Sequence, residues 1–203
     1  MAELLTKEDR QYADYLKKHQ RNVQVAFYEF INHTYIYDPI INLFKTNIDL
    51  NMLELRILHH DASKWSKEEF LPYRQYYYSA NNLRSKELLN KAWAHHFSTN
   101  DHHPEYWIID RDQHINLILN EQFDTLKSED MSIEAIFEML CDWIAMSLQF
   151  HSSLINWYNR SGTYFPFSKK TRLIVQKLID ILYDNLSFET RVLTYIPGSF
   201  NRV

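Results

Sequence analysis

The chain has 203 residues, 45% of them hydrophobic and 24% charged, with a net charge of −4 when its histidines are neutral; this suits one domain, residues 1–203, with a sizeable core. The absence of a Lys/Arg block argues against a nucleic-acid surface, and with only Gly162 and Gly198 a Gly-rich phosphate loop is excluded. The lone Cys141 excludes an internal disulfide or a cysteine-based zinc knuckle, while the opening MAELLTKEDRQ is no signal peptide and no apolar run reaches transmembrane length, so a cytoplasmic protein without membrane contact is expected.

Thr6 and Asp9 form the signature of a capping box. Tyr12, Leu16, His19, Val23, Ala26, Phe27 and Phe30 then recur at helical spacing, which predicts a helix to about His33 with His19 on its inward stripe. Tyr37 to Asn47 reads as a connection or a short helix. Asp49 is a good N-cap for a second helix, which ends in His59-His60-Asp61. Ser66-x-x-Glu69 reads as another capping box, opening a third helix to Tyr78, with Pro72 late for a first turn. Ser85 begins a fourth helix through His95 and His96 that breaks near Thr99-Asn100.

His103 precedes Pro104 and so avoids helical geometry. Residues 105–128 admit two readings: a short strand at Tyr106–Ile109, giving a hairpin near 105–118, or a helix from His114 to Phe123. Ser132 caps a fifth helix through Leu148 that carries Glu138 and Asp142 on one face, since they are i and i+4. Trp157 to Phe167 reads as a loop, and Ser168 caps a last long helix. From Pro197 the tail reads as loose. The pattern is all-α, with no repeat or linker.

Four places carry chemistry: His19, His60-Asp61, the cluster His95-His96 with His102-His103, and Glu138 with Asp142. Taken singly, each has a plain structural explanation. A histidine on an apolar stripe is usually a satisfied core residue, and histidine pairs at helix ends are often surface residues. Together they form an ordered set of imidazoles and carboxylates. An aspartate facing a core is costly unless it is paired or binds metal, and the two oxygens of Asp61 can serve two ions. His33, at a helix end, is a rival to His19, and His59 is a rival to His60.

The order His19, His60-Asp61, Asp142 resembles the HD-domain superfamily of metal-dependent phosphohydrolases, helical bundles named for their His…His-Asp…Asp signature. His60-Asp61-Ala-Ser-Lys64 also resembles the H-D-x-x-K form common there. At finer grain four segments resemble a domain-of-unknown-function family of bacterial and phage proteins. These are Tyr15-Leu-x-x-His19-x-x-Asn-Val23, His60-Asp-x-Ser-Lys64 with Glu69-Phe70, Ala92-Trp-x-His-His96 to His102-His103 with Tyr106-Trp107, and Glu138-Met-x-x-Asp142-Trp143.

The superfamily resemblance implies an HD-like helical bundle and one or two divalent transition metals, drawn from Mn, Fe, Co, Ni or Zn. It implies a first ion on His19, His60, Asp61 and Asp142, and a second on Asp61, His96 and His102. His95 and His103 would be further ligands or substrate contacts, and Glu138 would orient a ligand histidine. Catalytic roles would fall to Asp61, as the bridge, and Lys64, as a phosphate contact. The implied substrate is a small phosphorylated molecule, with a nucleotide foremost. An HD-type di-iron oxygenase and a non-catalytic metal or nucleotide binder are the alternatives. Nothing in the pattern speaks to oligomeric state.

Overall fold

The computed structural model describes residues 6–32, 38–39, 42 and 48–184. His33, most of the Tyr37–Asn47 connection and the tail from Pro197 lie outside them. Among the described residues there are eight α-helices joined by short 3-10 turns. In chain order these are α1 (Lys7–Asn32), α2 (Leu50–Leu58), α3 (Phe70–Tyr78), α4 (Lys86–Thr99), α5 (Ile115–Leu119), α6 (Ile133–Phe150), α7 (Leu154–Arg160) and α8 (Lys169–Asp184).

The caps explain most of these starts. Thr6 and Asp9 bond reciprocally, Asp9 Oδ2 accepting from the Thr6 N–H at 2.9 Å and Thr6 Oγ1 from the Asp9 N–H at 3.1 Å. Asp49 accepts from the Asn51 and Met52 N–H groups, Ser85 from Leu88 and Ser132 from Ala135. Pro72 is third in α3, where a backbone N–H has little to bond inside the helix.

Helix α1 packs along α6, and α2 lies against both. Val23, Phe27 and Phe30 of α1 meet Leu53 and Ile57 of α2, Phe137, Leu140 and Ile144 of α6, and Leu178 and Leu182 of α8 in the main core. Truncating a fully buried ring such as Phe137 removes about 3–5 kcal/mol. A second apolar cluster joins Tyr12 and Leu16 of α1 to Tyr73 of α3 and Ala92 of α4. His19 falls between Leu16 of that cluster and Val23 of the main core, so the polar site occupies the seam between two apolar bodies.

Two expectations fail. No hairpin forms near 105–118: Pro104–Trp107 and Arg111–His114 are 3-10 turns, and α5 follows at once. The one β-bridge among the described residues is Ile108 with Ser128, flanked by Ile109 N–H to Lys127 C=O at 2.9 Å. Phe97 of α4, Ile108 and Ile118 of α5 bury together instead, which packs the segment against α4. Nor is 157–167 wholly a loop. Ser153 caps α7 through the Asn156 N–H, and Leu154, Ile155 and Tyr158 give it a buried face. Gly162 then lies so close to the Tyr158 ring that a Cβ there would collide with it, which fixes the turn after α7. No described helix is long and apolar enough to cross a membrane.

Candidate metal centre

Helix α2 stops at Leu58, and the chain turns through Asp61, which has left-handed geometry (φ 57°, ψ 25°). Such a conformation is uncommon outside glycine, although aspartate tolerates it better than most residues. The turn lets adjacent His60 and Asp61 point at one locus instead of diverging as they would on a continuing helix. Both are buried, at 1% and 2% exposure.

Asp61 divides its oxygens. Oδ2 faces His60 Nε2 at 3.5 Å and His19 Nε2 at 3.7 Å. Asp142 Oδ1 completes that side, 3.0 Å from His19 Nε2 and 3.8 Å from His60 Nε2. Oδ1 faces His96 Nε2 at 3.3 Å and His102 Nε2 at 3.5 Å. His103 Nε2 lies 2.8 Å from His96 Nε2. Two nitrogens bound at about 2.1 Å and at right angles on one ion would sit about 3 Å apart. Donor atoms close enough for an ion thus form one group of His19, His60 and Asp142, another of Asp61, His96, His102 and His103, and a third of His60, His102 and Glu138 on the far side of the two imidazoles.

Two buried glutamates hold the imidazoles from behind. Glu138 Oε1 is 2.9 Å from His60 Nδ1 and 3.2 Å from His102 Nδ1. Glu69 Oε2 is 2.8 Å from His96 Nδ1, and its Oε1 is 2.7 Å from His95 Nδ1. A carboxylate at Nδ1 favours the proton there and leaves the Nε2 lone pair facing inward, the arrangement metal-ligating histidines adopt. Glu138 is held in turn by Arg56 Nε at 3.1 Å, and Arg56 also pairs with Asp101.

The donor set fits a cation. His60 Nε2, His102 Nε2 and Asp61 Oδ1 are buried and have no hydrogen-bond partner, an expensive state unless something binds them. Asp61, Glu69, Asp101, Glu138 and Asp142 crowd the centre against two permanent cations, Arg56 and Lys64. Without a metal the histidines carry the balance. Burial opposes charge on His60, but Asp61, Asp142 and Glu138 outweigh it and raise its pKa to about 10. Burial likewise opposes charge on Asp142, yet His19 and His60 hold it well below the carboxylate range. His103 is the opposite case: burial, with His102 and His96 beside it, pushes its pKa well down, leaving a neutral imidazole.

The structure brings His19, His60, Asp61, His96, His102, His103 and Asp142 together, with Glu138 behind them. It places His60 and not His59 in the cluster: His59 is exposed, and its Nδ1 lies 2.9 Å from Leu55 C=O. His95 is outside the ligand groups, a third exposed and tied to Glu69. After Asp61 the chain continues as a 3-10 turn, Ala62–Trp65. Residues i and i+3 eclipse there, so Lys64 Nζ folds back to 2.5 Å from Asp61 Oδ2.

Sequence reasoning missed Glu69, whose spacing from Ser66 imitates a capping box. Its side chain makes no cap. It also missed Arg56, Asp101 and Glu105. Glu105 is 4% exposed, and burial raises its carboxyl pKa to about 7. It lines a cleft of about 850 Å³ that opens beside His102, His103 and Asp142.

A family model described as a family of unknown function (DUF5662) matches residues 8–181, and the chain belongs to that family. No curated protein and no solved structure matches it.

Proposed function

We propose that this member of the DUF5662 family is a metal-dependent phosphohydrolase of HD type, acting on a nucleotide or a similar small phosphoester. One observation carries the reading: the two oxygens of buried Asp61 divide between two sets of histidines whose Nε2 atoms face inward. The His19, His60-Asp61, Asp142 order of the HD signature supports it.

His19, His60, Asp61 and Asp142 would hold one ion, and Asp61, His96, His102 and His103 a second. Imidazole and carboxylate donors suit Mn, Fe, Co, Ni or Zn. When bound, such ions neutralise phosphoryl oxygens and lower the pKa of water. The protein's own part is positional. Glu138 and Glu69 hold the imidazoles with their lone pairs inward, and Arg56 holds Glu138. Lys64, a fifth exposed, pairs with Asp61. With Asp61 shared by cations, the Lys64 ammonium would be free to meet the substrate phosphate, where a fixed positive charge stabilises charge growing on the phosphoryl oxygens.

The test is elemental analysis of the purified protein, then a panel of nucleotides, cyclic nucleotides and aryl phosphates with Mn, Co or Ni supplied. Turnover is expected, with Asp61→Ala inactive and Lys64→Ala losing turnover more than metal. If fully loaded protein cleaves none of the panel, the hydrolase reading fails. Iron with a near-ultraviolet band would then point to an oxygenase, and tight nucleotide binding without turnover to a binder.

A further inference from the structure

The cleft beside the metal cluster has two differently made walls. Trp143, Trp157 and Phe165 pack on one another, Trp143 and Phe165 nearly parallel at 5.6 Å and Trp143 and Trp157 edge-on at 5.0 Å. Trp93 and Tyr77 line it elsewhere. Trp143 itself is buried in the core, so the ring surface open to a planar body is that of Tyr77, Trp93, Trp157 and Phe165. Arg160, at the end of α7, also lines the cleft, is exposed and makes no ion pair among the described residues. At the inner end lie Asp142, His102 and His103 of the metal cluster.

Glu105 breaks the apolar pattern. It follows Pro104 in the turn after His103, is buried, and its Oε2 has no hydrogen-bond partner. It belongs to none of the donor groups that can hold an ion, so a metal does not account for it. Its backbone C=O accepts from the Ile108 N–H at 3.3 Å. A buried acceptor without a partner is costly to the folded protein. A residue so placed, in the wall of a cleft that ends at the metal cluster, is explained if the missing donor arrives with the substrate.

We infer that the cleft takes a phosphoester bearing a planar ring with an N–H or O–H donor, and that Glu105 accepts that donor and selects the substrate. The inference rests on the hydrolase reading for the phosphoester and on the cleft alone for the ring and its donor. Sites built to bond a polar group discriminate strongly against analogues that lack it, because the site's own group is then left unpaired.

The probes are adenosine 5′-monophosphate and purine riboside 5′-monophosphate, which differ only in the exocyclic amino group. Each is tested on metal-loaded protein by kcat/KM and by calorimetric binding. The amino-bearing probe is expected to be preferred by about tenfold or more. Glu105→Leu should erase the preference, leave metal content unchanged and raise the thermal midpoint of the ligand-free protein, which a purely structural glutamate would lower. The volume-conserving Glu105→Gln should cut the preference by about fivefold, since the amide keeps one acceptor oxygen but sets an NH2 donor where the second oxygen was.

Equal handling of the two probes by the unmodified protein, or a preference that survives both substitutions, overturns the inference. If neither probe is bound while an aryl phosphate is cleaved, the inference falls and the hydrolase reading stands. If the amino-bearing probe binds with a Glu105-dependent preference and no phosphoester is cleaved, the cleft assignment stands and the hydrolase reading falls.

Discussion

The two faces of Asp61 are built by different means. On the Oδ2 face the partners come from α1, the turn after α2, and α6, at positions 19, 60 and 142. On the Oδ1 face His96, His102 and His103 come from the end of α4 and the turn just after it. The first face needs the whole bundle assembled, and the second needs one helix end. The faces also differ in charge. Asp142 adds a second carboxylate beside Oδ2, whereas the Oδ1 face adds only imidazoles. More negative charge and a scaffold of long packed helices favour the Oδ2 face as the tighter cation site.

The most severe way to break this comparison is to remove what the faces share. Asp61→Ala should lose most of the metal from both, because no other residue offers an oxygen to each. Plasma emission on protein purified without chelator reads the result. A loss confined to one equivalent would mean that Asp61 serves a single ion.

Single histidines should then separate the faces. His19→Ala is expected to remove the tighter equivalent, and His96→Ala the weaker one, leaving the other in place. Competition with a chelator of known affinity resolves the two equivalents. If His96→Ala empties the tighter equivalent instead, the charge argument ranks the faces wrongly.

Replacing the glutamates tests the same division one layer out, with a smaller effect. Glu138 supports an imidazole on each face, His60 and His102, whereas Glu69 supports His96 and the outlying His95. Glu138→Gln should weaken both equivalents and Glu69→Gln only the second, each by about 10–100-fold. Thermal midpoints of the metal-free variants control for folding. Equal patterns from the two variants would erase the distinction.

How far this was legible in the sequence follows the reach of each signal. Helices show because caps and apolar spacing are local: Asp49, Ser85 and Ser132 each lie within three residues of the N–H they satisfy. The candidate ligands show because imidazoles and carboxylates on an apolar stripe, as at His19, or clustered at helix ends, as at His60-Asp61 and His102-His103, are conspicuous. Their supports do not. Glu138 and Arg56 are 82 residues apart, and Glu69 reaches His96 across 27. No periodicity relates such positions. Glu69 was also masked by a local pattern of Ser66-x-x-Glu69, since the spacing of a capping box does not say which way the carboxylate turns. Lys64 shows by its separation from Asp61, but the left-handed Asp61 and the 3-10 turn after it, which decide where its ammonium lies, do not. The cleft and Glu105 depend on α3 to α7 and the turns between them meeting, which no single segment records.

The smallest effect expected is a pH-dependent one. In metal-free protein the His60 pKa is raised from 6.5 to about 10 by the carboxylates around it. A group protonated more tightly when folded stabilises the fold fully below its unfolded pKa. That contribution is lost as pH rises through the folded value, so His60 should make the metal-free thermal midpoint fall between pH 7 and pH 10. His96, whose pKa is also raised because Asp61 and Glu69 outweigh its burial, acts in the same direction. Asp142 and Glu138 act at the other end: their pKa values are depressed, so their contribution is present above the ordinary carboxylate range and is lost in acid. A bound cation replaces the proton on His60, and binding must release that proton, so the cation's stabilising effect should grow with pH. The gap between loaded and chelated midpoints should therefore widen from pH 6.5 to pH 8.5 by a few degrees. It should widen less in His19→Ala, where the face containing His60 is already weakened and the proton held on His60 is no longer displaced by a cation. Differential scanning fluorimetry at matched ionic strength measures both gaps. A metal-free midpoint that stays level or climbs above pH 7 would show that the carboxylates do not hold a proton on His60.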